Sequence, residues 1–203
     1  MAVNYLGYAT ASSNSQSSSV GLTIPDGATE CILGIAYRAT TEAGNLITAI
    51  SLDGQAGELV RYITADPANR DNLVCYRFRG FTTGSSKLLS FTRSGAIYDG
   101  AIYMFVFTSG ENATTPVKDS DEAVTTGTGQ TLTTPNMDSS VNCLVILFAA
   151  GETTLPTVTG GSQTEIVTGS FNDTYAGMAR KAGAGAADTA TAVLTKGAII
   201  GVI

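Results

Sequence analysis

The chain has 203 residues, with 11 basic and 17 acidic side chains, no histidine and a formal net charge of -6. An acidic balance of this kind opposes phosphate neutralisation, so nucleic acid and anionic membranes are not expected partners. The missing histidine removes the commonest general base and the commonest metal ligand, and with them serine triads and zinc hydrolase sites in their usual forms. Charged residues make up 14% of the chain against about 25% in an average domain, and Ser, Thr, Gly and Asn carry the polarity, which is the vocabulary of strands and turns.

Residues 1–19 lack the basic start and apolar centre of a signal peptide, and no apolar stretch approaches the ~20 residues that span a bilayer. The chain therefore reads as soluble and made in a cytosol. The Ser-rich run from Asn14 to Ser19 marks 1–19 as a flexible N-terminal arm. From residue 20 to 109, short runs of Val, Ile, Leu, Thr, Tyr and Phe alternate with Gly, Pro, Asn, Asp and Ser clusters and read as strands. Asp53-Gly54, Ser94-Gly95 and Asp99-Gly100 are tight-turn signals. Residues 65–72 could form one turn of helix at most. The segment 110–126 is polar and acidic and reads as a linker. Residues 127–203 then resume the strand pattern.

That second stretch repeats the first in order. Val20–Pro25 reappears as Gln130–Pro135, Glu30–Tyr37 as Asn142–Ala149, and Ile47–Gln55 as Leu155–Gln163. Glu58–Val60 answers to Glu165–Val167, Val74–Arg79 to Tyr175–Arg180, Ser86–Thr92 to Thr189–Thr195, and Ala101–Phe107 to Ala198–Ile203. Recurrence in one order indicates duplication even where each match is weak. The predicted fold class is all-β: a jelly-roll-like β-sandwich built from two pseudo-repeated halves, 20–109 and 127–203, with two abutting sandwiches as the other arrangement. Residues 101–107, 144–148 and 198–203 are apolar on both faces, so something besides the opposing sheet should cover them. Loops or the N-terminal arm could do so; a subunit interface is the main competitor.

Few residues suggest chemistry. Cys31, Cys75 and Cys143 sit in apolar segments without ligand spacing and read as core thiols. Asp26, Glu30, Asp53 and Glu58 could supply a carboxylate pair for glycoside hydrolysis, although they lie beside turns and no spacing singles out a pair. Glu111 and Asp119–Glu122 could hold calcium but lack the EF-hand glycine and distal glutamate, so a solvated run is favoured. Gly183–Asp188 reads as a hairpin tip rather than a phosphate loop, since strand-like residues follow it. Two Asn-X-Thr sequons, at Asn112 and Asn172, carry no meaning without secretion. Arg77 and Arg79 alternate with Tyr76 and Phe78, which places two guanidinium groups on one face, either to grip a partner or simply exposed. Sugar stacking on Tyr5, Tyr8, Tyr98 or Tyr103 is possible but unsignalled.

Ile24-Pro-Asp-Gly-Ala28, Thr48-Ala-Ile-Ser-Leu-Asp-Gly-Gln55, Thr82-Thr-Gly-Ser-Ser-Lys-Leu-Leu-Ser-Phe-Thr92 and Met104-Phe-Val-Phe-Thr-Ser-Gly110 together resemble a loose group of β-sandwich proteins of tailed-phage virions. The likeness runs over residues 20–203 and is one of pattern and composition. It implies a virion structural role, as a capsid decoration or cement protein sitting on the capsid as an oligomer. Taken with the duplication, the missing histidine, the doubly apolar strands and the N-terminal arm, it leads us to expect a non-enzymatic subunit, made in the host cytoplasm, that binds the major capsid protein lattice as a homotrimer without cofactor or metal. Tyr5, Tyr8, Arg77, Arg79, Tyr103, Phe105 and Phe107 are the candidate interface residues. The alternative is a glycan- or receptor-binding module of a phage tail or cell surface, with a glycoside hydrolase or lyase third.

Overall fold

A computed structural model describes residues 3–14, 18–40, 45–66, 71–110, 117, 119–138, 142–158, 162–183 and 187–203. The first half supplies β1 (Asn4–Asn14), β2 (Ser19–Ile24), β3 (Glu30–Ala39), β4 (Ile47–Leu52), β5 (Gln55–Ala56), β6 (Glu58–Asp66), β7 (Asp71–Arg79), β8 (Gly84–Arg93) and β9 (Ile97–Ser109). The second supplies β10 (Ser120–Thr125), β11 (Gln130–Thr133), β12 (Met137–Asp138), β13 (Leu144–Gly151), β14 (Thr164–Phe171), β15 (Thr174–Ala182), β16 (Ala187–Asp188), β17 (Thr191–Leu194) and β18 (Gly197–Val202). Every pairing between these strands is antiparallel.

The strands stack as four layers. An outer sheet, β2-β8-β4-β5, faces the inner sheet β1-β9-β3-β7-β6. Behind it lies a second inner sheet of the same plan, β10-β18-β13-β15-β14, and then the outer ribbons β11-β17 and β12-β16. The duplication thus appears as two sandwiches placed back to back. The isolated bridge between Thr157 and Val193 stands where β4 stands beside β8 in the first half, so the second outer layer is a trimmed copy.

Three apolar cores separate the layers, and strand periodicity sorts residues among them. Along β9, Ala101, Tyr103, Phe105 and Phe107 point into the first sandwich, while Ile102, Met104 and Val106 point into the central layer. On β13, Leu144, Ile146, Phe148 and Ala150 join that layer, and Val145, Leu147 and Ala149 face the second outer ribbons. Ala198, Ile200 and Val202 of β18 do the same against Ile199 on the other face. The strands that are apolar on both faces are therefore covered inside one chain, by the other copy of the repeat. Neither loops nor a subunit interface is needed to explain them.

The halves meet by equivalent strands. β18 packs on β6 and β7, and its counterpart β9 packs on β14 and β15; β13 meets β7 as β3 meets β15. At the centre the Phe148 ring lies over Gly34, where any Cβ would collide with it. A glycine inside a strand here marks a close approach between sheets.

Three local expectations are corrected. Residues 4–14 of the expected arm form β1, paired with β9 from Asn4↔Ser109 to Asn14↔Gly100. Residues 120–125 of the expected linker form β10, paired with β18 as β1 is with β9. Residues 15–17, 111–116 and 118, and residues 67–70 of the proposed helical turn, lie outside the described residues. Asp99-Gly100 is not a turn: both residues lie within β9, and Gly100 is required because a Cβ there would strike the Ser13 carbonyl and the Phe171 ring. Asp53-Gly54 does turn between β4 and β5, with positive φ of 51° and 81°.

Candidate functional site

The seven candidate interface residues separate into distinct environments. Tyr103, Phe105 and Phe107 are each 0% exposed inside the first sandwich, so they cannot present a surface to a partner. Tyr103 stacks on Phe91 at 5.3 Å between ring centroids, and Phe105 on Phe107 at 6.2 Å. Tyr103 also shares a hydrogen bond of 3.0 Å with Ser13 of β1, which satisfies its buried hydroxyl.

Arg77 is buried rather than presented. Its Nε lies 2.6 Å from a carboxylate oxygen of Glu30, itself 2% exposed by side chain, and its Nη1 donates to Glu58 at 2.9 Å. Glu30 and Glu58, two of the four carboxylates weighed for hydrolysis, are thus brought together, with Arg77 bridging them. Arg79 is partly exposed at the end of β7. Asp53 accepts from the backbone N–H of Thr82 at 3.2 Å and from Lys87 Nζ at 3.3 Å, and the Thr82 hydrogen bonds hold its carboxyl below the usual carboxylate range. Asp26 lies in the turn after β2, closed by the Ala28 N–H donating to the Pro25 carbonyl.

Tyr5 and Tyr8 lie on β1. The Arg180 guanidinium sits 4.2 Å from the Tyr5 ring centroid, a cation–π contact across the junction of the halves. Burial raises the Tyr5 pKa, with the nearby Arg180 charge opposing. Tyr8 is 49% exposed. The Tyr98 side chain lies outside the described residues.

At one side of the stack β6 is latched to β10: Arg61 Nε lies 2.7 Å from Glu122, its Nη2 3.5 Å from Asp121, and the same Nη2 donates to the Ser120 carbonyl. The acidic run 119–122 is accordingly engaged in part by Arg61, and among the described residues no group of three or more Cys, Asp or Glu could hold a metal ion. At the equivalent place on the other side, β1 and β14 stand apart. The cleft between them, of about 230 Å³, is lined by Thr10, Ser12, Thr168 and Ser170 over Met104 and Phe171, with no charged side chain. Sequence reasoning missed this cleft because it is made by two edges that are 150 residues apart in the chain and each unremarkable alone.

Cys31 and Cys75 are free and buried, and Cys143 is partly buried. Burial raises the pKa of both buried thiols and of Tyr37 and Tyr76, and it pushes Tyr103 up to about 12. These groups hold their protons more tightly folded than unfolded. Their contribution is complete below the unfolded pKa values and is lost as pH rises through the folded ones. Alkaline unfolding should therefore begin above about pH 9, with Tyr103 alone removing roughly 2–3 kcal/mol by pH 12. Circular dichroism recorded alongside tyrosinate absorbance tests this; every tyrosine titrating near its ordinary value in an intact fold would contradict it.

No family model, curated protein or solved structure matches the chain, so a functional reading has to come from the residues and their arrangement.

Proposed function

We propose that the chain is a non-enzymatic virion structural protein, a capsid decoration or cement subunit that binds the major capsid protein lattice as a homo-oligomer. The observation that carries this reading is the strand order. Setting β6 aside as an addition next to β7, we read the orders β1-β9-β3-β7 and β2-β8-β4-β5 as compatible with the double Greek key of a jelly roll, and the inner sheet of the second half repeats the order of the first. Jelly rolls serve widely as capsid building blocks. Fold alone does not assign function, and here the resemblance of residues 20–203 to phage β-sandwich proteins supplies the rest. Arg77, Glu30, Arg61 and Glu122 are bound in ion pairs between strands, which suits a protein whose role is mechanical.

The trimer expected from the doubly apolar strands loses that support, because those faces are covered within the chain. Co-sedimentation with capsid lattices assembled without the protein tests the reading. Saturable binding that raises lattice stability is the expected result, and absence of binding to any such lattice sinks the proposal.

A glycan- or receptor-binding module is favoured by one observation, the uncharged cleft with hydroxyl-bearing walls and Phe171. It requires retention of a defined sugar at micromolar concentration, lost on Phe171→Ala.

A further inference from the structure

Among the four edge strands of the inner sheets, β1 has the least protection against pairing with another chain. Natural edges are blunted by charge, proline, bulges or shortness. β6 carries Glu58 and Arg61 and two register shifts, and β10 carries Asp121 and Glu122. β14 carries Glu165 and a register shift beside it. β1, Asn-Tyr-Leu-Gly-Tyr-Ala-Thr-Ala-Ser-Ser-Asn, has neither charge nor proline along its 11 residues; its one register shift lies near its start, between Tyr5 and Gly7, and from Gly7 to Asn14 the register runs without interruption. In an antiparallel pair the backbone groups of alternate residues point away from the partner, so from Gly7 to Ser13 β1 offers a row of amides and carbonyls on the side opposite β9.

The surroundings of β1 extend the feature into a wall. β2, also free of charge, packs beside β1 in the next layer, and β14 flanks it across the cleft on the other side. Leu6 and Tyr8 expose 36% and 49% of their surface there. The opposite wall, with β6 and β10, concentrates charge instead.

We propose that this wall pairs with the same wall of a second copy, β1 running antiparallel to β1 of its partner across a twofold axis, so that two inner sheets become one continuous sheet. Two observations select a second copy as the occupant. The chain carries a net charge of -6, so two copies meet with least repulsion where charge is absent, and β1 and β2 supply such a surface. The area is also sufficient. The 11, 6 and 8 residues of β1, β2 and β14 at about 3.4 Å each, in layers about 10 Å apart, give on the order of 850 Å² per copy, comparable to the roughly 800 Å² per partner of a standard stable interface. Such pairing is isologous and closes at two copies. It also covers the mouth of the cleft between β1 and β14 in each copy, whereas the glycan reading needs that mouth open.

This inference stands apart from the capsid role: a chain that pairs through β1 yet ignores capsids keeps the former and loses the latter. Light scattering coupled to size exclusion, run on the whole chain over a wide concentration range, is the test. The expected mass is twice 20.8 kDa for the wild type and for Val124→Lys on the opposite wall, and half of that for Thr10→Lys. Thr10 is exposed on β1, so lysine there adds edge charge without entering a core; Ser12→Lys provides a second such variant if the first misfolds by circular dichroism. A wild-type monomer, a trimer, or a dimer that survives both β1 variants would overturn the proposal. So would a monomer whose β1 amides gain exchange protection only on adding capsids, since the edge would then belong to a foreign strand.

Discussion

Replacing Arg77 by alanine is expected to lower stability by about 3–5 kcal/mol in urea unfolding, the cost of stranding a buried charge. The side chains of Arg77 and Glu30 are 10% and 2% exposed, and their contact at 2.6 Å lies where β3 and β7 pair at the margin of the central layer. Removing the guanidinium takes the Arg77 charge, at 2.6 Å, away from the Glu30 carboxylate in that buried setting. The second partner behaves differently. The Glu58 side chain is 70% exposed, so Glu58→Gln should cost under about 1 kcal/mol, in the range of solvent-screened pairs. Replacing Arg77 and Glu30 together by apolar residues of similar volume should recover most of the loss. Equal effects from Arg77→Ala and Glu58→Gln would show that burial does not set the energetics of this triad.

Phe148→Ala should also cost about 3–5 kcal/mol, through lost apolar burial and the cavity left behind. Phe148 is fully buried, and its ring occupies the hollow above Gly34, so the cavity opens at the centre of the contact between the halves. The form of the transition is as informative as its position. Because the central layer is shared by both inner sheets, wild type and variant should each unfold in one cooperative step. Separate transitions for the two halves in calorimetry would mean that each outer core sustains its own sandwich, and the coupling argued here would fail. The reverse change, Gly34→Val, should be at least as damaging, because the added side chain has nowhere to go while Phe148 keeps its place.

The duplication was legible because core strands carry strong, ordered apolar signatures, and seven segments recur in one sequence. What the sequence concealed follows from three physical causes. Edge strands have a weak signature: β1 alternates exposed and half-buried positions filled by Ala, Ser, Thr and Tyr, so it resembled an arm, and β10 resembled a linker. Side-chain facing has a period of two, so a shift of one residue exchanges faces without spoiling an alignment. Matching Ala101 to Ala198 made that error. Tyr37 pairs with Ala101, and its counterpart Ala149 pairs with Ile199, so Ala101 corresponds to Ile199. Finally, contacts between distant segments leave no local trace. The alternation of Arg77 and Arg79 with Tyr76 and Phe78 was correctly read as two faces, with both aromatic residues in the first core, but nothing near Arg77 announced that Glu30 would neutralise it. The doubly apolar strands were correctly read as needing cover; the cover came from the chain's own second copy of the repeat. The cleft between β1 and β14 was not legible at all.

The reciprocal contacts of β18 with β6 and β7, and of β9 with β14 and β15, are those of an isologous dimer made covalent. In a dimer of identical subunits, any change at one junction is imposed on its symmetry mate. Fusion into a single gene product releases that constraint, because each junction is then encoded separately. Among the described residues the Arg61 latch has no ion-pair equivalent at the cleft between β1 and β14, an asymmetry that identical subunits obeying their twofold axis could not have acquired. Tandem fusion thus let one margin specialise in holding the halves together and freed the other to diverge.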